Sequence, residues 1–160
     1  MAVRNAYVLS TTTPTQVKGG KVIAIAGNFE TLVADDAASI YRLCRVPANA
    51  VILSIDINDD AVAGATDMDI GLYDTLEQGG AVKDVDVFMD GTNLSGGAAL
   101  GSEVSGLSNL AIDEIGNQVY EHAGDDAPTP NGEYDLCLTS NDDITGAATI
   151  AVRIVMVVSS

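Results

Sequence analysis

Val51-Ile52-Leu53-Ser54-Ile55-Asp56-Ile57-Asn58 is the stretch that decides the fold class. Its odd positions, Val51, Leu53, Ile55 and Ile57, are all apolar, and its even positions turn polar at Ser54, Asp56 and Asn58. A side-chain period of two is the signature of a half-buried strand, here with the odd residues facing a core. Downstream, Met68-Asp69-Ile70-Gly71-Leu72-Tyr73 repeats the pattern with Met68, Ile70 and Leu72 inward. The residues between, Asp59-Asp60-Ala61-Val62-Ala63-Gly64, read as a loop, so the two strands are expected to pair antiparallel. Upstream, Ile40–Val46 is a third strand, stopped by Pro47 and Asn49, because the residue before a proline favours extended backbone.

The same grammar continues to the C-terminus. Tyr134-Asp135-Leu136-Cys137-Leu138-Thr139 follows the turn signal Asn131-Gly132. In Thr149–Val158, Ile150, Val152, Ile154, Met156 and Val158 share one face, while Arg153 interrupts Ala151, Val155 and Val157 on the other. A strand apolar on both faces belongs in mid-sheet or in an interface. Residues 82–89 suggest one irregular strand, and 96–106 a loop. One amphipathic helix is predicted over 112–123, where Ile112, Ile115, Val119 and Ala123 form a stripe, Asp113 and Glu114 sit in the first turn and Gly124 follows the end. Several short strands with one helix imply an all-β, two-sheet β-sandwich of the jelly-roll kind. Residues 1–36 read as an extended N-terminal arm with a possible strand at Val22–Gly27, or alternatively as the first strands of the domain, and 37–160 as the sandwich domain.

Composition narrows the function. The chain has 160 residues, 23 Asp plus Glu against 7 Lys plus Arg, and a formal net charge of −16. A body this acidic repels phosphate backbones and anionic membrane surfaces. One His and two Cys rule out the usual multi-His and multi-Cys zinc sites. Cys44 and Cys137 each sit in apolar sequence and read as reduced, buried thiols, with a Cys44–Cys137 disulfide as the open alternative. No signal peptide is evident, and the apolar run at Ile150–Val158 covers at most half a membrane span. Synthesis in a cytoplasm, without secretion by the general pathway, is therefore expected.

Candidate chemistry is sparse. Asp56, Asn58, Asp60 and Asp67 match positions 1, 3, 5 and 12 of a calcium loop, but Ala61 replaces the required glycine, and strands flank it in place of helices. A solvated loop is the expectation. Asp67 and Asp69, two apart on a strand, point to one face, read as a solvent face. His122 lacks a nucleophile elbow. The glycine pairs lack the lysine of a phosphate loop. The reading is of no catalytic residue, cofactor or metal. The scarce cations Arg42, Arg45 and Arg153, with Lys18 and Lys21 in the arm, are the candidate partner-facing residues, since a planar guanidinium suits interface carboxylates. The competing reading of each arginine is an intrachain ion pair.

Three stretches together resemble a family of jelly-roll capsid decoration, or cement, proteins of tailed bacteriophages. They are Tyr41–Ala50 leading into the strand from Val51; Asp69–Asp74 followed by Gly79-Gly80-Ala81-Val82; and Val119–Gly124 followed by Gly132–Thr139, Gly146 and Thr149–Arg153. The resemblance implies a non-enzymatic protein on the exterior of a virion, bound to the phage major capsid protein and tying capsomers together, as a homodimer or homotrimer. The arm would order on that shell. The alternative on the same fold is a tail- or fibre-associated module binding host glycans.

Overall fold

The computed structural model describes residues 3–4, 21–127 and 132–158. In chain order the strands are β1 (Val3–Arg4), β2 (Lys21–Glu30), β3 (Ser39–Pro47), β4 (Ala50–Asp59), β5 (Met68–Asp74), β6 (Val82–Thr92), β7 (Val104–Ser105), β8 (Glu133–Ser140) and β9 (Thr149–Val158). A one-turn helix, α1 (Val119–His122), and a 3-10 turn at Leu76–Gln78 complete the elements. The strands form two sheets, β1-β3-β8-β5-β6 and β2-β9-β4-β7. Apart from the two-residue parallel pair β1·β3, every pairing is antiparallel. Strands β2 to β9 divide between the sheets in the orders 2-9-4-7 and 3-8-5-6, which is the eight-stranded jelly roll.

The fold class agrees with the sequence reading, and three finer expectations do not survive. First, the strands at 51–58 and 68–73 do not pair. They lie in opposite sheets, and the intervening loop crosses the sandwich edge. That loop is not simply solvated. Val62 and Ala65 are fully buried, and the segment hydrogen-bonds to Leu94 from both Val62 and Ala65.

Second, the alternation in β4 breaks. A β-bulge lies between Ile52 and Ser54 in the pairing with β9. The extra residue inverts the phase, so Ala50 and Ile52 face inward with Ile55 and Ile57, whereas Leu53 is half exposed and Val51 faces outward. The all-apolar run Val51-Ile52-Leu53 fits either phase, so periodicity alone could not place the break.

Third, the helix shrinks to Val119–His122. Residues 112–116 form turns, with Ile112 and Ile115 89% and 71% exposed, so the stripe buries only Val119 and Ala123. Gly116, at φ +99°, adopts a backbone conformation that ends helical continuity.

The other strands follow their patterns. Ile150, Val152, Ile154, Met156 and Val158 are at most 2% exposed, and β9 sits between β2 and β4, as a strand apolar on both faces should. The core is aliphatic, built from the inward rows of β3, β4, β5, β8 and β9 with Phe88 and Tyr41. Strand β6 is irregular, with three register breaks against β5. Its Asp84-Val85 backbone lies directly over Gly71 of β5, where a Cβ would collide with it. Gly71 is thus the residue that lets β6 fold across the outside of its own sheet. Strand β2, inside the stretch read as the arm, makes ten consecutive pairs with β9.

Candidate interaction surface

The two outer faces of the sandwich are built in opposite ways. On the sheet containing β3, β8 and β5, the outward residues are polar yet covered. Arg42 is 2% exposed and Asp135 is 0% exposed, and the two form an ion pair. Arg42 Nη1 also donates to Asp74 O and Nη2 to Gly80 O, both at 3.2 Å, so the guanidinium pins the 74–80 turn onto the sheet. Its carbon lies 5.7 Å from the Tyr73 ring centre. Tyr73 shares a 2.9 Å hydrogen bond with Thr139. Asp69, 4% exposed, accepts from Gly91 N at 2.9 Å and from Asn141 Nδ2 at 2.7 Å. Burial raises the Asp69 carboxyl above its ordinary value, and those two hydrogen bonds partly offset the shift. Asp69 therefore lies on no solvent face, and the expectation for that pair is corrected.

The outward row of β8 also settles the thiols. Cys137 stands opposite Arg42 and points outward, while Cys44 stands opposite the inward residue Leu136 and joins the core. Side chains on opposite faces of one sheet point apart, a geometry no disulfide spans. Both cysteines are free and buried, and burial pushes the Cys44 thiol up to about 12.

On the sheet containing β2, β9 and β4, one half of the outward face is apolar and, among the described residues, exposed or half-buried. Val22, Val157 and Val51 line up across the three strands, as do Ala24, Val155 and Ser54, and the bulged Leu53 stands beside them. Val22 is 61% and Leu53 50% exposed. The next rung, Ala26, Arg153 and Asp56, carries an ion pair, with Arg153 Nε donating to Asp56 Oδ2 at 3.0 Å.

The candidate cations fall in different places. Arg42 is enclosed within the molecule. Arg45, one-fifth exposed, pairs with Glu77, with Glu133 at 3.6 Å and with Asp135 at 3.8 Å. Arg153 borders that apolar face, and Lys21 stands exposed at the start of β2. Lys18 lies outside the described residues, as does Asn131 of the Asn-Gly turn signal. Lys83 was not singled out in the sequence. It bridges Asp125 at 3.2 Å and Asp74 at 3.8 Å beside a cleft of about 430 Å³ that Tyr134 and Glu133 also line. The Tyr134 hydroxyl donates to Asp125 and, with Lys83, holds that carboxyl below its ordinary value.

The calcium-loop residues diverge. Asp56 serves Arg153, Asn58 Nδ2 donates to the Ala98 and Ala99 carbonyls, Asp60 is exposed, and Asp67 accepts from Asn141. His122 packs edge-on against Phe88 with ring centres 5.2 Å apart, and burial holds its pKa below the ordinary value.

No protein-family model matches the sequence, and no curated protein matches it. Among solved structures, the chain is similar to one in the capsid of Ralstonia phage GP4, with a TM-score of 0.58 and 14% identity over 96% of this chain and 95% of that one. It is also similar to a chain of the cyanophage Pam1 capsid asymmetric unit, with a TM-score of 0.52 and 14% identity over 93% of each. At this identity the likeness shows a shared fold along nearly the whole chain.

Proposed function

We propose that this chain is a structural protein of a bacteriophage virion. Specifically, it is a decoration (cement) protein that binds the outside of the major capsid protein lattice and reinforces the head. It acts by contact and not by catalysis, works as a homo-oligomer, and is made in the host cytoplasm before joining the particle.

The observation that carries this reading is the outer face of the β2-β9-β4 sheet. In an acidic protein whose other outer face is sealed by its own ion pairs, Val22, Ala24 and Leu53 are exposed and Val51, Val155 and Val157 half-buried beside them, with Arg153 at the margin. Burying a leucine or valine side chain contributes about 1.5–3 kcal/mol, so a partner that covers this face gains a sequence-tolerant attraction. The end-to-end fold likeness to chains from two phage capsids supports a capsid lattice as that partner. Binding only the assembled shell stabilises it by mass action, and acidic outer surfaces suit a high-copy exterior component.

The test is co-sedimentation with shells of the phage's own major capsid protein. Leu53→Asp places a charge on the face without touching the core, and should weaken shell binding on the order of tenfold or more. Unchanged binding by Leu53→Asp, alongside loss of binding in Arg45→Glu on the opposite sheet, would overturn the assignment of this face. Failure of the unaltered protein to bind shells would overturn the function.

A further inference from the structure

The outer face of the β2-β9-β4 sheet changes chemistry along its strands. Its rungs run from the valines at one end, past the Arg153–Asp56 ion pair, to Asn28, Ala151 and Asn58. The last rung is acidic. Glu30 of β2 stands opposite Thr149 of β9, and from the other side Asp60 N donates to Thr149 O at 3.1 Å. Alternation puts Glu30 on the outer face with Val22 and Ala24, and Asp60 there with Asp56 and Asn58. Ala24 to Glu30 spans about 20 Å at about 3.3 Å per residue. Both acids are exposed, and among the described residues neither side chain has a cationic partner.

A pocket of about 450 Å³ opens beside that rung, lined by Asp60, Thr149 and Ala151 with Ala98, Ala99 and Leu100 of the facing segment. Asp59, 9% exposed, also lines it. Its Oδ1 accepts from Ala61 N at 3.0 Å, while Oδ2 meets no donor in hydrogen-bond geometry. Burial raises this carboxyl above its ordinary value by more than the amides of Ala61, Val62 and Ala98 lower it. The pocket thus carries a desolvated carboxylate with no counter-charge among the described residues, next to the exposed carboxylate of Asp60.

We infer that this end of the face takes a basic side chain, lysine or arginine, presented by the shell protein. A metal ion fits less well. No group of three or more carboxylate, histidine or cysteine ligands gathers among the described residues, and calcium takes about six to eight oxygens. The alanine and leucine walls suit instead the methylene stem of a long cation, whose charged head lies against Asp60. Asp59 attracts that head through the low-dielectric pocket wall without touching it. The inference rests on the shell-binding proposal and deepens it. The partner surface carries an apolar patch and, about 20 Å along, a basic one, the first holding the complex and the second fixing its register.

Co-sedimentation with shells of the phage's own major capsid protein, at about 50 and about 500 mM NaCl, tests it. Asp60→Lys should weaken binding on the order of tenfold at low salt and far less at high salt, where exposed pairs are screened. Asp113→Lys, an equal change of net charge in the 112–116 turn, should leave binding unchanged. Asp59→Asn keeps an acceptor for Ala61 N and removes only the charge, so it should cost no Tm and weaken binding about threefold. Full affinity in Asp60→Lys, or an equal loss in Asp113→Lys, would overturn the inference. Full affinity in Asp59→Asn would strike the buried carboxylate from it. Calcium at about 1 mM that raises the Tm of the unaltered protein but not of Asp60→Lys would give the pocket to a metal and overturn it as well. The two claims separate cleanly. If Leu53→Asp loses binding while Asp60→Lys keeps it, only this inference fails; if the unaltered protein ignores shells, the function itself fails.

Discussion

Replacing Arg42 with methionine removes the guanidinium and keeps most of the side-chain volume. The structure says what remains. Asp135, at 0% exposure, loses its ion-pair partner, and the carbonyls of Asp74 and Gly80 lose the donors that hold their turn. Removing one member of a buried pair costs about 3–5 kcal/mol, because the surviving charge stays desolvated. Arg45 Nε lies 3.8 Å from the other oxygen of Asp135 and offsets part of that cost, which puts the expected loss near the lower end, about 3 kcal/mol. At roughly 2–4 °C per kcal/mol for a domain of this size, Tm should fall by about 6–12 °C. Urea unfolding followed by circular dichroism gives the same quantity as a shift in midpoint at constant slope. Arg42→Met combined with Asp135→Leu removes the orphaned charge and should recover most of the loss, because an apolar pair of similar volume often matches a buried ion pair. Arg42→Lys should not rescue, since a single ammonium cannot reach Asp135 and both carbonyls with a fixed fork. A loss below about 1 kcal/mol for Arg42→Met, or a double variant no more stable than the worse single one, would refute the reasoning.

Two further outcomes follow from the packing. Gly71→Ala drives a methyl group into the Asp84-Val85 backbone and should cost about 1–3 kcal/mol in chemical denaturation, where the same change at the open Gly96 should cost far less. The single histidine gives a clean proton NMR titration. Burial lowers the His122 pKa more than Glu114, Glu121 and Asp84 raise it, so the midpoint should lie below 6.5. A lowered histidine pKa contributes stability that is present above the unfolded value and lost as pH falls through the folded one. Acidification below pH 6.5 should therefore destabilise the protein, and less so in His122→Leu; a midpoint above 6.5 would contradict the burial against Phe88.

Parts of the candidate surface were legible before any fold was known. Strands β2, β4 and β9 carry apolar residues in both phases: Val22 and Ala24 beside Ile23 and Ile25, Val51 and Leu53 beside Ile52 and Ile55, Val155 and Val157 beside Ile154 and Met156. Those three strands turn out to be neighbours, and their second phase forms the apolar outer face. Strand β9 alone was recognised as apolar on both sides. The buried pair Arg42–Asp135 was not legible. Arg42 lies 93 positions from Asp135 in sequence, and its alternation marks an outward residue with no hint that the 74–80 turn and β6 fold back over that side.

Local pattern by itself determined the all-β class, most strand positions, the inward rows of β5, β8 and β9, and the scarcity of His and Cys, because a two-residue period and composition need no knowledge of neighbours. Only the tertiary structure decided which strands pair, where the Leu53 bulge reverses β4, that residues 112–116 coil into turns, and which outer face is covered. Each of those depends on contacts between residues far apart in the chain, whose formation balances loop-closure entropy against burial and leaves no periodic mark in the sequence.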